Sequence, residues 1–225
     1  MVPESLTKLL QSPDLFRARW SEQAAREKNL SRIRSTWRAN PFAPKVSYGR
    51  HRGPAPASTN EAAVLMAILP ENNRWVLPLT LRPATMQDHA GQVSFPGGRK
   101  RNDESHRDAA CREFAEELGC DVQTVNMIGE FDPLYVFASR HRVIPFLGIA
   151  ECFPKMTPCP SEVDRVLLLP LESLMTIQPI VRPIRRGETV FEIPGFWLDG
   201  HWVWGATAIM LGELNRTLQA IAQQP

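Results

Sequence analysis

Three glutamates, Glu113, Glu116 and Glu117, fall within the segment REFAEELGC. On a helix turning 100° per residue they share one arc of about 100°. Ala110, Phe114 and Leu118 turn to the neighbouring face, so an acidic stripe runs beside an apolar anchor. Like charges at this spacing repel one another in an isolated helix. A cation resting on them would turn the repulsion into attraction. With no histidine or thiolate on that face, the donors favour a hard ion, Mg²⁺ or Mn²⁺. Arg112 and the loop acid Glu104 extend the set, since a guanidinium can grip a carboxylate at two points and orient it. Gly97-Gly98 allows a tight backbone turn that exposes a carbonyl to the metal. The plain alternative is a solvated acidic helix face, because glutamate is a common helix former.

The spacing adds weight to the chemical reading. Gly98 is followed by five residues and Glu104, then by seven residues and Arg112-Glu113-Phe114-x-Glu116-Glu117-x-Gly119-Cys120. This resembles the Nudix box, G-x5-E-x7-R-E-U-x-E-E-x-G-U, where U is a bulky aliphatic residue. At residue frequencies of about 6%, the chance of such a match is roughly 10⁻⁹ to 10⁻⁸ per window. The one departure, Cys120 at the last apolar position, keeps a small hydrophobe there. The resemblance implies an α/β fold, the Nudix α/β/α sandwich with a mixed sheet, and hydrolysis of a nucleoside diphosphate linked to another group. It also implies that Glu113, Glu116, Glu117 and the Gly97 carbonyl hold the metal, while Glu104 and Arg112 orient the ligands. Two carboxylates are candidates for the general base: Glu113, and Glu162 in SEVDRVLLLPLESL, which resembles a family segment with an acid ahead of a strand and Pro-Leu.

Upstream, LPLTLRPATMQDHAGQVSFPGG resembles the signature of the coenzyme A diphosphatase branch through Thr80, Arg82, His89, Gly91 and Phe95-Pro96-Gly97-Gly98. The stretch from Trp204 to Ala208 is similar to that branch as well. Pro78, Pro83 and Gln87 depart from the signature, and Gln87 replaces an arginine that would face the substrate. Because the 3′-phosphate of CoA needs a cation, Arg82, Arg99, Lys100, Arg101 and Arg142 are candidate replacements, each with surface solvation as its ordinary alternative. Arg82 and His89 are the expected substrate-binding residues, His89 having a structural hydrogen-bonding role as its alternative. Tyr135 and Phe137 could stack on adenine or pack into the core.

These groups need elements to hold them. Ser105 is a fair N-cap with Asp108 three residues on, which predicts a helix over 105–118. Ala62–Leu69 is an apolar run of buried-strand length, and Trp75–Leu81 reads as its returning strand after a turn. Residues 95–98, FPGG, are expected to break regular structure. Val143–Ala150 and Val166–Leu169 are further strand candidates, with Thr189–Ile193 and His201–Trp204 weaker ones. Met210, Leu211, Leu214, Leu218 and Ile221 share a face of a helix over 206–222. Residues 4–28 have helical spacing, and the prolines and glycines of 39–57 mark a linker or wrapped arm. The division expected is a helical N-terminal extension with a proline-rich arm over 1–57 and a hydrolase domain over 58–225.

Composition bounds the partners. With 43% hydrophobic and 22% charged residues the 225-residue chain has a globular profile. A net charge of +2 gives no global field toward nucleic acid or membrane, so an anionic ligand must be held locally. No apolar run spans a bilayer, and the first twenty residues lack a signal-peptide layout. The four cysteines form no paired framework, which fits a reducing compartment, the cytoplasm. The expected ligand is a nucleotide-type diphosphate. Oligomeric state stays open. Two readings compete: a Nudix hydrolase of another diphosphate, such as ADP-ribose, a dinucleotide or a nucleoside triphosphate, favoured by Gln87, and a non-catalytic Nudix-fold module, which predicts a degraded box.

Overall fold

A computed structural model of the chain describes residues 2–31, 40–43, 58–86, 89–137 and 139–223. Gln87 and most of the proline-rich stretch 39–57 lie outside the described residues. Two N-terminal helices, α1 (Glu4–Leu10) and α2 (Pro13–Ser31), precede β1 (Asn60–Glu71) and β2 (Arg74–Leu81). Then come β3 (Val93–Ser94), β4 (Gly97–Arg99), α3 (His106–Leu118), β5 (Val125–Glu130), β6 (Leu134–Val136), β7 (His141–Ala150) and β8 (Arg165–Pro170). The chain closes with α4 (Leu171–Thr176), β9 (Ile180–Arg186), β10 (Thr189–Leu198), β11 (His201–Trp204) and α5 (Gly205–Ala222).

β1 is the axis of the molecule. It pairs parallel with β7 from Asn60–His141 to Ile68–Ile149, and antiparallel with β4 and, at its far end, β2. β3 and β8 flank β2, β5 and β6 pair with β7, and the result is one mixed eight-stranded sheet. Alternation along β1 sends its side chains into two cores. Ala63, Leu65, Ala67 and Leu69 meet Ala109, Ala110, Phe114 and Leu118 of α3. Ala62, Val64, Met66 and Ile68 join the larger core with Leu211, Leu214 and Leu218 of α5 and with Leu6, Leu10, Phe16 and Trp20 of α1 and α2. Burial on both faces explains why β1 reads as a continuous apolar run. Helices on both faces make an α/β/α sandwich with a mixed sheet. A separate three-stranded antiparallel sheet, β9–β10–β11, stands beside it.

The N-terminal helices share that core. Trp20 packs edge-on against Phe131, with ring centroids 4.8 Å apart. A Cβ at Gly129 would collide with the Trp20 indole, so this contact requires glycine. Arg17 donates from Nε and Nη2 to the Met127 carbonyl, both at 3.2 Å.

One sequence expectation is corrected here. Phe95 and Pro96 are irregular, but Gly97–Arg99 is a strand laid against β1. Glycine disfavours strands for want of a side chain to pack; here it permits a backbone approach that a side chain would block. A Cβ at Gly97 would meet Val64 Cα at 2.6 Å.

Candidate active site

The chemistry is carried by α3, by β4 at its start, and by a loop docked on its end. Ser105 caps α3: its hydroxyl accepts from the Asp108 N–H at 3.1 Å, and the Asp108 carboxylate accepts from the Ser105 N–H at 3.4 Å. At the other end Gly119 adopts the left-handed conformation, φ 58°. There the last carbonyls of the helix need donors. Thr157 N–H supplies the Leu118 carbonyl at 2.9 Å and Cys159 N–H supplies the Glu117 carbonyl at 3.0 Å. Glu162 and Val163 N–H both fold back on the Cys159 carbonyl, at 3.0 and 2.8 Å. The loop that finishes the helix therefore carries Glu162 to the glutamates of α3, although the two are far apart in sequence. One carboxylate oxygen from each of Glu113, Glu117 and Glu162 lies within 4.8 Å of the others.

Glu117 is the buried member, 2% exposed. Thr80 donates its hydroxyl to Glu117 Oε2 at 3.4 Å, and Arg82 Nη1 stands 3.8 Å from Oε1. Burial pushes the Glu117 carboxyl up to about 8. Arg82 and a backbone hydrogen bond from Gly97 oppose the rise, while Glu113 and Glu162 add to it. A buried, incompletely neutralised carboxylate facing two more carboxylates is a site that a divalent cation would satisfy.

The β4 ladder contributes to the same side. Leu65 N–H bonds the Pro96 carbonyl at 3.0 Å and Lys100 N–H bonds the Glu61 carbonyl at 2.9 Å. These bonds set the phase of the antiparallel pair, so Gly97, opposite Val64, is at a position where N–H and carbonyl both turn off β1. Its N–H goes to Glu117. The donor set is then hard oxygen throughout, which fits Mg²⁺ or Mn²⁺ rather than a softer metal.

Arg112 organises the remaining acids. It grips Glu104 at both oxygens, reaches Glu113 Oε1 at 2.6 Å and Glu116 Oε2 at 3.0 Å, and donates to the Arg99 carbonyl at 3.2 Å. These bonds raise the Arg112 pKa further. The Arg112 hydrogen bonds hold Glu104 down at about 2 despite some desolvation, helped by the Arg101 N–H. Glu116 is not brought into the three-carboxylate group. It is half exposed and pairs with Arg112 and, at 3.4 Å, with Arg101.

A cavity of about 490 Å³ lies beside β4. Arg82, His89, Gly97, Gly98, Arg99 and Phe137 are among the residues that line it. The rest of its wall is mostly apolar, from β9 and β10 (Ile184, Phe191, Ile193) and α5 (Ile209, Met210), with Glu192 and Thr207 among its polar members. Arg82 Nε is buried with no hydrogen-bond partner among the described residues. His89 has φ 57° and its Nδ1 lies 3.0 Å from Gln92 Oε1, so its hydrogen bond holds the loop it sits on. Tyr135 is buried and packs edge-on against Phe137 at 6.4 Å. Arg142 is committed to Glu61 at 2.9 Å, a carboxylate that His106 also meets at 2.8 Å.

The sequence pointed to Thr80 and Gly98 as motif residues without the contacts that they make here, and it did not point to Phe42. Thr80 was visible as a signature residue, but not as the partner of Glu117. Gly98 leaves room for Glu113: a Cβ there would meet the Glu113 Cδ at 2.5 Å. Phe42 lines the cavity from the N-terminal arm, and nothing in its surrounding sequence signals this.

Comparison with known proteins shows the family. The NUDIX domain family model matches residues 59–189. The Nudix hydrolase NudL of Photorhabdus laumondii, itself uncharacterized, is 31% identical over 165 residues, covering 72% of this chain and 87% of NudL. NudL of Pectobacterium atrosepticum is 32% identical over 158 residues, 68% of this chain and 80% of that protein. Among solved structures, the Nudix hydrolase RenU of M. smegmatis aligns with a TM-score of 0.49 at 12% identity, over 72% of this chain and 88% of RenU. A matched domain of this extent, with an intact box at its centre, places the chain in the Nudix hydrolase family. It is a pyrophosphohydrolase acting on nucleoside diphosphate derivatives. Among the described residues no helix is long and apolar enough to cross a membrane.

Proposed function

We propose that the substrate is coenzyme A or an acyl-CoA, cleaved at its diphosphate to 3′,5′-ADP and (acyl-)4′-phosphopantetheine in a reaction dependent on Mg²⁺ or Mn²⁺. One observation carries the substrate reading: the branch signature residues Arg82, His89, Gly97 and Gly98 line a single cavity, and Arg82 reaches from it to within 3.8 Å of Glu117.

Glu113 and Glu117, with the Gly97 carbonyl and Glu116 beside them, are the groups that would hold the cation, and Glu162 faces them from its loop. When bound, a divalent ion neutralises diphosphate oxygens and makes water easier to deprotonate. Arg112 fixes Glu104 and Glu113, so the acids meet the substrate already oriented. Arg112 also holds Glu116, at 3.0 Å. Glu162 is the better general base of the two candidates. It is exposed on its loop, whereas Glu113 is clamped by Arg112 at 2.6 Å and hemmed in by Gly98. General-base assistance of this kind contributes typically 10²–10⁴-fold. Arg82 lines the cavity, where its guanidinium would meet a substrate phosphate.

A panel of CoA, dephospho-CoA, ADP-ribose and dinucleotides, with products identified, tests the substrate. A 3′-phosphate contact is worth about 1.5–3 kcal/mol, so dephospho-CoA should lose roughly ten- to a hundredfold in kcat/KM. The second reading, a Nudix hydrolase of another diphosphate, is favoured by Gln87 in place of the signature arginine. It predicts equal rates on CoA and dephospho-CoA, with ADP-ribose matching them.

A further inference from the structure

The described part of the N-terminal arm, Asn40–Ala43, is fastened to α5. Asn40 is buried and donates its amide to the Ile209 carbonyl at 2.8 Å and to Glu213 Oε1 at 3.0 Å, and its own oxygen accepts from the Phe42 N–H at 2.9 Å. Glu213 is held from the other side by Arg216 at 2.9 Å. Gly212 makes the approach possible, since a Cβ there would meet Asn40 Oδ1 at 2.5 Å. Every polar group at this anchor is paired, which is how a buried amide is made to specify one geometry.

The outcome of the anchor is the position of Phe42. It is 1% exposed, packs edge-on against Phe196 with centroids 5.8 Å apart, and lines the cavity that Gly97 and Arg82 also line. Most of the cavity wall is apolar, with Ile209 and Met210 from α5 and Ile184, Phe191 and Ile193 from β9 and β10, and Glu192 and Thr207 are among its polar members. Phe42 lies outside residues 59–189, the segment matched by the family model. We propose that Phe42 is a specificity-determining residue: delivered by the arm, it limits the size of the apolar group the cavity accepts next to the diphosphate. The inference rests on the CoA reading above, in which the occupant is the acyl end of the pantetheine arm. An aliphatic chain fits the aliphatic and aromatic part of this wall.

The test compares wild type, Phe42→Ala and Phe42→Leu on a series of thioesters from acetyl-CoA to dodecanoyl-CoA. Each buried methylene is worth about fourfold in binding. In Phe42→Ala the ratio of kcat/KM for dodecanoyl-CoA to that for acetyl-CoA should rise by about tenfold or more, through KM, and Phe42→Leu should move the same way by less. Phe42→Leu retains most of the buried apolar surface, so the comparison survives if the alanine variant does not fold. A Phe42→Leu variant with all rates scaled alike would overturn the inference, since a structural role alone does that. So would a change in 3′,5′-ADP inhibition without a change in the chain-length ratio, which would put the nucleotide against Phe42. If the wild-type enzyme cleaves no CoA compound, the substrate reading fails, and Phe42 is then judged by titrating dodecanoyl-pantetheine, which lacks the diphosphate. Tighter binding to Phe42→Leu than to wild type would support the size limit, and equal binding would overturn it.

Discussion

Arg112 holds Glu104 at both carboxylate oxygens, Nε to Oε2 at 3.0 Å and Nη2 to Oε1 at 2.7 Å. Glu104 belongs to the loop before α3 and Arg112 to the helix itself, so this grip joins the two. From the same guanidinium, Nη1 reaches Glu113. The loop, the helix and one acid of the three-carboxylate group therefore share one rigid fork.

The fork predicts that Arg112→Lys is not conservative. A lysine offers a point charge and cannot bond two oxygens in a plane while reaching a third. Turnover should fall by about a hundredfold, as expected when a reacting group shifts by about 1 Å, with the melting temperature nearly kept. Steady-state kinetics and a thermal melt of the same sample check this. Near wild-type kcat in Arg112→Lys would show that Glu113 needs no such orientation.

Glu104 and Glu117 predict opposite pH responses. The folded state holds Glu104 at about 2, below its ordinary 4.5, so its contribution is present above pH 4.5 and is lost as pH falls toward 2. Glu117 is raised from 4.5 to about 8. Its contribution is full below pH 4.5 and disappears as pH rises through 8. Metal-stripped protein should therefore melt progressively lower from pH 5 to pH 9. Glu117→Gln should flatten that slope, and saturating Mg²⁺ should flatten it too, because the cation takes the deprotonated carboxylate. A metal-free melting curve that is level from pH 5 to 9 in wild type would contradict the burial argument.

The glycines of β4 separate chemistry from folding. Gly98→Ala puts a methyl group on the Glu113 carboxylate, while Gly97→Ala drives one into the backbone of β1 at Ala63 and Val64. Gly98→Ala should stay folded and lose most of its activity, because a carboxylate end can swing aside and a strand cannot. Gly97→Ala should lower the melting temperature by several degrees, on the order of 1–3 kcal/mol for overpacking. Equal melting temperatures for the two variants would refute this assignment of contacts.

Among the acids, Glu117→Gln should lose roughly a thousandfold or more, with metal affinity reduced alongside. Glu162→Gln should lose about 10²–10⁴-fold in kcat with metal affinity less affected, as a general base would. Glu116→Gln should also lose far more rate than stability. Metal titrations followed through kcat distinguish the three; an active Glu162→Gln variant would return the base role to Glu113.

The sequence made α3 and its chemistry readable because a fixed spacing on a helix determines which side chains share a face. Ser105 as cap, Glu113 and Glu117 on one side and Phe114 on the other all follow from periodicity. The larger strands were readable for the same reason: β1, buried on both faces, is an unbroken apolar run. What could not be read depends on contacts distant in sequence. β5, as VNMIGE, alternates weakly and carries a bulge between Met127 and Gly129, and β9, as IVRPIRR, has no apolar face of its own. β4 was read as a break because glycine usually is one; only the closeness of β1 explains it. Glu162 was picked out by its resemblance, but its approach to Glu117 depends on two backbone bonds to the end of α3. Phe42 gave no signal, since its role follows from an anchor on Gly212 and Glu213, far along the chain.

The most direct test of the central claim is product analysis of CoA incubated with the purified enzyme, with and without metal. Metal-stripped enzyme in excess chelator should be inactive. Added Mg²⁺ or Mn²⁺ should restore cleavage to 3′,5′-ADP and 4′-phosphopantetheine in equal amounts, and Glu117→Gln should give neither under the same conditions. Undiminished cleavage in the presence of chelator, or full activity in folded Glu117→Gln, would contradict the account.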